Sequence, residues 1–245
     1  MWADAVDLRD FYGTSLGQVA ARAVRARLRA LWPEAAGQRL LGLGYATPFL
    51  RPFHDEAERV IAAMPAAQGV LHWPRGAPNR TVLVDELDLP FPDNFFDRIL
   101  LVHAVENAES LRPMLREVWR VLAESGRMVA VVPNRRGIWA RLERTPFGHG
   151  HPYSPGQLSR LLRDNLFTPT VADGALYMPP SRRRMVLRAA PAWEKIGARW
   201  FRRFAGVVVM EAGKQIYAAS TATARARKRP VYAPAGGKVG RFGEG

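Results

Sequence analysis

Residues 84–134 read VDELDLPFPDNFFDRILLVHAVENAESLRPMLREVWRVLAESGRMVAVVPN. Short apolar runs at 81–84, 98–102 and 127–132 frame this stretch, and a helical pattern fills 111–122 between the last two. Runs that are apolar on both sides and separated by helices belong in a parallel sheet covered by helices on each face. The stretch therefore predicts an α/β fold with a doubly wound, mostly parallel sheet. Ligands in such sheets bind beyond the carboxyl ends of the strands, near the point where the winding reverses. Phe95 and Phe96 read as core anchors, and Asp97 belongs to the strand entry.

The pattern continues in both directions. Towards the N-terminus, strands are expected at 39–43 and 69–73 with a helix at 50–64 between them. Residues 14–32 read as an amphipathic helix closed by Pro33, with Leu16, Val19, Ala23, Leu28 and Leu31 on one side and Arg22, Arg25 and Arg29 on the other. It is expected to cover one face of the core. Towards the C-terminus, Ser154, Pro155 and Gln157 form a capping-box signature for a helix at 155–164. Segments 171–178, 186–189 and 206–217 read as strand-like around a helix at 192–204, which suits antiparallel strands closing one edge of the sheet. From Ser220 the chain turns to Ala, Gly, Pro, Arg and Lys, so a domain over 1–219 and a disordered basic tail over 220–245 are expected. The residues that follow the strands are Gly44, Trp73, Asp85, His103 and Asn134.

At 245 residues and 48% hydrophobic content the chain can bury one large core. It has no run of eighteen apolar residues and opens with acids where a secretion signal is basic, so a cytoplasmic protein without a membrane span is expected. The absence of cysteine excludes disulfides, thiolate nucleophiles and cysteine zinc sites. A net charge of +14 points towards nucleic acid or an anionic surface. The basic residues are nearly all arginine, however, and outside 182–184, 202–203 and the tail they are scattered. No zinc-finger, aromatic-strand or recognition-helix signature accompanies them. A solvated basic surface is favoured over a nucleic-acid site, and nothing speaks to oligomeric state.

The loop LLGLGYATP at 40–48 falls where a phosphate or adenosyl cradle would stand. Glycines recur in such loops because a tight turn needs φ > 0 and a side chain would hold the ligand off the backbone amides. Gly42 and Gly44 supply two such positions. Ala46 carries a Cβ and Pro48 lacks an N–H, which makes the loop narrower and poorer in donors.

Read together, these residues resemble the core of the class I S-adenosylmethionine-dependent methyltransferases of the small-molecule type. The family pattern is an acid after the third strand, LPF-x-D-x-x-FD into the fourth, an xHxxEH-like turn, and a helix ending R-E-x-x-R-V-L-x-x-G-G. This chain supplies Asp85, Leu89-Pro90-Phe91, Asp93, Phe96-Asp97, His103, Glu106, Arg116-Glu117, Arg120-Val121-Leu122 and Gly126. The resemblance implies S-adenosylmethionine as cofactor, with Gly42, Gly44, Ala46, Asp85, Glu86 and His103 around it. In that reading Asp85 accepts from the adenine amine, the Glu86 N–H faces a ring nitrogen, and residues 89–91 cap the ring apolarly. The first motif departs from the family: Gly42 stands for its acid, and Ala46 and Pro48 for its later glycines. The acid that grips the ribose is missing from 70–75, a loss of about 1.5–3 kcal/mol in binding. Trp73 either stacks on adenine or fills the crevice.

Methyl transfer is an in-line displacement that asks the protein to align a nucleophile and, for a poorly acidic one, to remove a proton. His103 and Glu106 are the candidate bases, with His149 and His151 across the loop after the fifth strand. The long connection 135–153 carries His149, His151 and Tyr153 as candidate substrate-binding residues, in keeping with the habit of long ordered loops to hold function. His149 and His151 form H-x-H, but no third ligand is near in sequence and no metal is expected. The resulting expectation is a methyltransferase for a small-molecule acceptor. The alternative is an inactive scaffold of the same fold that binds or regulates a partner, and RNA methylation is a weaker third.

Overall fold

The computed structural model describes residues 4–215, so the expected tail at 220–245 lies outside the described residues. Helix α1 (Ala5–Gly13) is capped by the Asp4 side chain and leads into α2 (Ser15–Leu31), capped by Thr14. The strands β1 (Arg39–Gly44), β2 (Arg59–Pro65), β3 (Thr81–Val84), β4 (Phe96–Val102), β5 (Leu122–Pro133), β6 (Phe167–Ala175) and β7 (Val207–Lys214) form one sheet. Its order is β3-β2-β1-β4-β5-β7-β6. The first five strands run parallel, and β7 pairs antiparallel with both β5 and β6, as the sequence predicts for the far edge. The winding reverses between β1 and β4, where Gly44 lies opposite Val102.

Two cores follow from strands that are buried on both faces. On one side α1, α2, α3 (Thr47–Leu50) and Trp139 pack over Leu40, Leu100 and Val129. On the other, α4 (Leu111–Val121) and α5 (Pro155–Asp164) pack over Leu41, Leu101 and Ala130. The capping box is present at Ser154 and Gln157. Asp97 staples the sheet's entry edge, accepting from the Arg39 backbone N–H at 2.9 Å and from its guanidinium at 3.2 Å.

Three sequence expectations are corrected. Residues 50–64 are not one helix: the helical turn ends at Phe53 after Pro52, and Val60 to Met64 lie in β2. Alanine and methionine gave that run a helical look, but it is apolar on both sides and gains more by lying between β1 and β3. Residues 69–73 are consequently loop. The strand expected at 186–189 is instead short helix, α6 (Arg184–Arg188), followed by α7 (Ala190–Trp200).

Candidate active site

At the reversal point two left-handed residues face each other across the sheet. Gly44 has φ +84° and His103 φ +54°. A Cβ on Gly44 would stand 2.3 Å from the Val102 carbonyl oxygen, so only glycine lets β1 end this close to β4. Gly42 lies two residues earlier in β1, and its empty side-chain position is filled by Ala46 and Leu50, each 2.6 Å from where a Cβ would be. Gly42 and Ala46 thus meet where α3 seats on the sheet.

His103 is buried, with Glu106 equally so. The Gln68 amide donates to the His103 carbonyl at 2.5 Å and Asn107 donates to it at 3.1 Å, which holds the strained backbone. The ring has a partner on each nitrogen: Nδ1 is 3.1 Å from Glu106 Oε1, and Nε2 is 2.7 Å from the Tyr12 hydroxyl. One tautomer satisfies both, with Nδ1–H donating to the carboxylate and the Tyr12 O–H donating to Nε2. A carboxylate that fixes the tautomer and leaves Nε2 unprotonated, as an acceptor, is the arrangement of a general base. Two acceptors beside it, Glu106 Oε2 and Gln68 Oε1, are buried without a partner.

Aromatic rings close the crevice over this pair. Tyr12 stacks on Tyr45 with centroids 5.9 Å apart and planes 9° from parallel, and meets Phe49 edge-on at 5.4 Å. Phe147, from the long connection, lies 5.1 Å from the His103 ring. Burial drives the Tyr12 hydroxyl well above its ordinary pKa, and the nearby Glu106 carboxylate adds to the effect. Helix α1 is pinned in the crevice from its start, where the Ala5 N–H donates to the Gln68 carbonyl at 2.7 Å.

The remaining candidates are spread around this centre. Asp85 follows β3 and is exposed, its Oδ1 accepting from the Leu87 N–H at 2.8 Å to cap its own turn. Burial raises the Glu86 carboxyl, opposed by the Glu109 N–H. His149 Nε2–H donates to the Glu143 carbonyl at 2.6 Å, whereas the His151 N–H donates to the Glu106 carbonyl at 2.9 Å. Tyr153 bridges to Asn134, and its hydroxyl is raised by burial and by Glu106. The connection is thereby tied onto the His103–Glu106 pair. Among the described residues no group of three or more His, Asp or Glu could hold a metal. Trp73 does not follow a strand; it meets His54 edge-on at 5.5 Å in a cavity of about 760 Å³ under α2. That cavity is lined by Arg22, Arg25, Arg51 and Arg75.

Sequence reasoning missed Tyr12 and Gln68. The residues Leu8, Phe11 and Tyr12, spaced as one helix face, were the available signal for α1. Gln68 was hidden by the displaced strand assignment.

Residues 41–130 match the family model of a methyltransferase domain. Over this segment the chain is similar to methyltransferase domains. It is 29% identical over 127 residues to a demethylmenaquinone methyltransferase of Thermus thermophilus, covering 51% of each chain. It is 31% identical over 88 residues to a 2-phytyl-1,4-naphtoquinone methyltransferase of Synechococcus elongatus, covering 36% of this chain and 32% of that one. The chain thus spans about half or less of the curated relatives it matches. In fold it resembles an S-adenosylmethionine-dependent methyltransferase of Thermotoga maritima, described as a possible histamine N-methyltransferase, with a TM-score of 0.60 at 16% identity over 88% of this chain and 100% of that one.

S-adenosylmethionine is the cofactor this family implies. In the conformation described, α1 lies across the crevice and the donor set for it is incomplete. Tyr12, stacked on Tyr45, occupies the His103 side of the crevice, and β2 ends in buried Met64 and Pro65, followed by Ala66, Ala67 and Gln68, with no carboxylate for the ribose. The missing acid that was sought at 70–75 is missing here instead.

Proposed function

We propose that this protein is an S-adenosylmethionine-dependent methyltransferase for a planar aromatic small molecule with an ionisable hydroxyl, and that α1 withdraws from the crevice to admit its ligands. The carrying observation is the Tyr12 hydroxyl on His103 Nε2, 2.7 Å away, with Glu106 behind the ring. Tyr12 is itself a phenol held against an unprotonated imidazole nitrogen inside an aromatic cage, so it marks where an acceptor's hydroxyl would be gripped and its proton taken. The quinone substrates in the relatives' names support an acceptor of that shape. In this reading His103 holds the proton and Glu106 stabilises the imidazolium. Gly44, Asp85 and Glu86 border the cofactor, and His149, His151 and Tyr153 lie in the connection that covers the acceptor.

The test is formation of S-adenosylhomocysteine with a naphthohydroquinone as acceptor. The wild-type chain is expected to turn over and His103→Asn to lose about a hundredfold or more in kcat, the usual worth of a positioned base. Equal rates in the two would remove His103 from the chemistry.

A second reading, an inactive scaffold, is favoured by one observation: the carboxylate-free end of β2. It predicts no product with any hydroquinone and no heat with cofactor at millimolar concentration, even after Tyr12 is truncated.

A further inference from the structure

Beyond β6 the chain turns through α6, α7 and a 3-10 turn at Arg202–Phe204. The inner side of this helical corner is fixed to the domain. A Cβ on Gly197 would lie 2.2 Å from the Tyr177 side chain, the Tyr177 N–H donates to Glu194 at 2.8 Å, and Ala190 is buried. The outer side is different. Trp193, Ile196 and Trp200 stand at i, i+3 and i+7, a spacing that places them on one helix face. They are 44%, 52% and 72% exposed, and Met185, Phe201 and Phe204 beside them are 82%, 54% and 60% exposed. Among the described residues, every exposed tryptophan and phenylalanine lies on this corner.

Cations surround the apolar side chains. Residues 182–203 hold Arg182, Arg183, Arg184, Arg188, Lys195, Arg199, Arg202 and Arg203 against one acid, Glu194, which is turned inward. None of the eight forms an ion pair among the described residues. Exposed aromatic side chains interleaved with arginine are poor surface for water and good surface for a lipid headgroup layer. Tryptophan and phenylalanine settle at the acyl boundary, and guanidinium groups meet phosphates.

We propose that this corner is an interfacial anchor that seats the protein on an anionic membrane surface, without crossing it. A second copy fits poorly, because a two-fold contact would bring eight cations against eight. Single-stranded nucleic acid would use the aromatic rings but leaves no role for Met185 and Ile196, which have no ring to stack. The inference does not rest on methyl transfer.

The experiment is flotation of the full chain with phosphatidylcholine vesicles, with and without phosphatidylglycerol. Binding is expected with phosphatidylglycerol and about tenfold weaker or less without it. Trp200→Ala with Phe204→Ala, exposed positions that keep the charge, is expected to weaken binding about tenfold or more. Arg202→Gln and Arg203→Gln are expected to cost about fivefold each. The proposal is overturned if the wild-type chain does not float, or if the aromatic variant floats as well as wild type, which would assign binding to basic residues elsewhere, 220–245 included. It is equally overturned if the aromatic variant converts a stable dimer to monomer or abolishes binding of a single-stranded oligonucleotide without changing flotation.

Discussion

At the scale of single residues the site is a contest for one nitrogen. His103 Nε2 is occupied by Tyr12, a residue of the chain itself, which an acceptor displaces in the proposed function. Tyr12→Ala would leave a hole among Tyr45, Phe49 and His103, and a cost of about 3 kcal/mol is expected in chemical denaturation. Tyr12 also sets an alkaline limit. Its folded pKa lies above the unfolded value near 10, so its contribution to stability is complete below that value and is lost as pH rises through the folded one. Denaturation midpoints should therefore fall above about pH 10 in wild type and fall less in Tyr12→Phe. At Gly44 the limit is steric: φ +84° and a 2.3 Å approach to Val102 leave no room for a Cβ, and Gly44→Ala should cost about 2–4 kcal/mol by the same assay. A midpoint within error of wild type would show that β1 and β4 can part there cheaply.

Among the elements, the link from β3 to α4 is held by one guanidinium. Arg120 donates to Glu117 at 2.6 Å, to Asp93 at 2.7 Å and to the carbonyls of Leu89 and Phe91 at 2.8 Å each. Arg120→Ala is expected to lose about 2 kcal/mol, since it strips charged hydrogen bonds and leaves carbonyls unpaired. The Arg120 contact holds the Glu117 carboxyl below its ordinary range, so the pair stabilises the fold above about pH 4.3 and fails as pH drops through the folded value. Denaturation midpoints should fall with pH below about 4.3 in wild type and fall less in Glu117→Gln. This link was legible in the sequence because Leu89-Pro90-Phe91, Asp93, Glu117 and Arg120 are local signals in fixed order. The passage from β1 to β2 was not. There Pro52 ends the helix after one turn, and the run Val60–Met64 reads equally as helix or strand until β1 and β3 are known to flank it.

Over the whole molecule, the strand order and the antiparallel edge could be read from alternation of apolar runs with helices, because burial on both faces leaves a pattern in composition. Closure of the crevice could not. It depends on α1 reaching across from residue 12 to residue 103, and no local pattern encodes a contact of that span. That contact decides how the domain behaves. If the closed form predominates, apparent cofactor affinity is reduced by the fraction of open molecules, and weakening the closure returns it. Calorimetric titration of S-adenosylhomocysteine into the wild-type chain and into Tyr12→Ala tests this directly. The account predicts weak binding to wild type and about tenfold or tighter binding to the variant. No heat from either at millimolar ligand, or equal affinity for both, would contradict it.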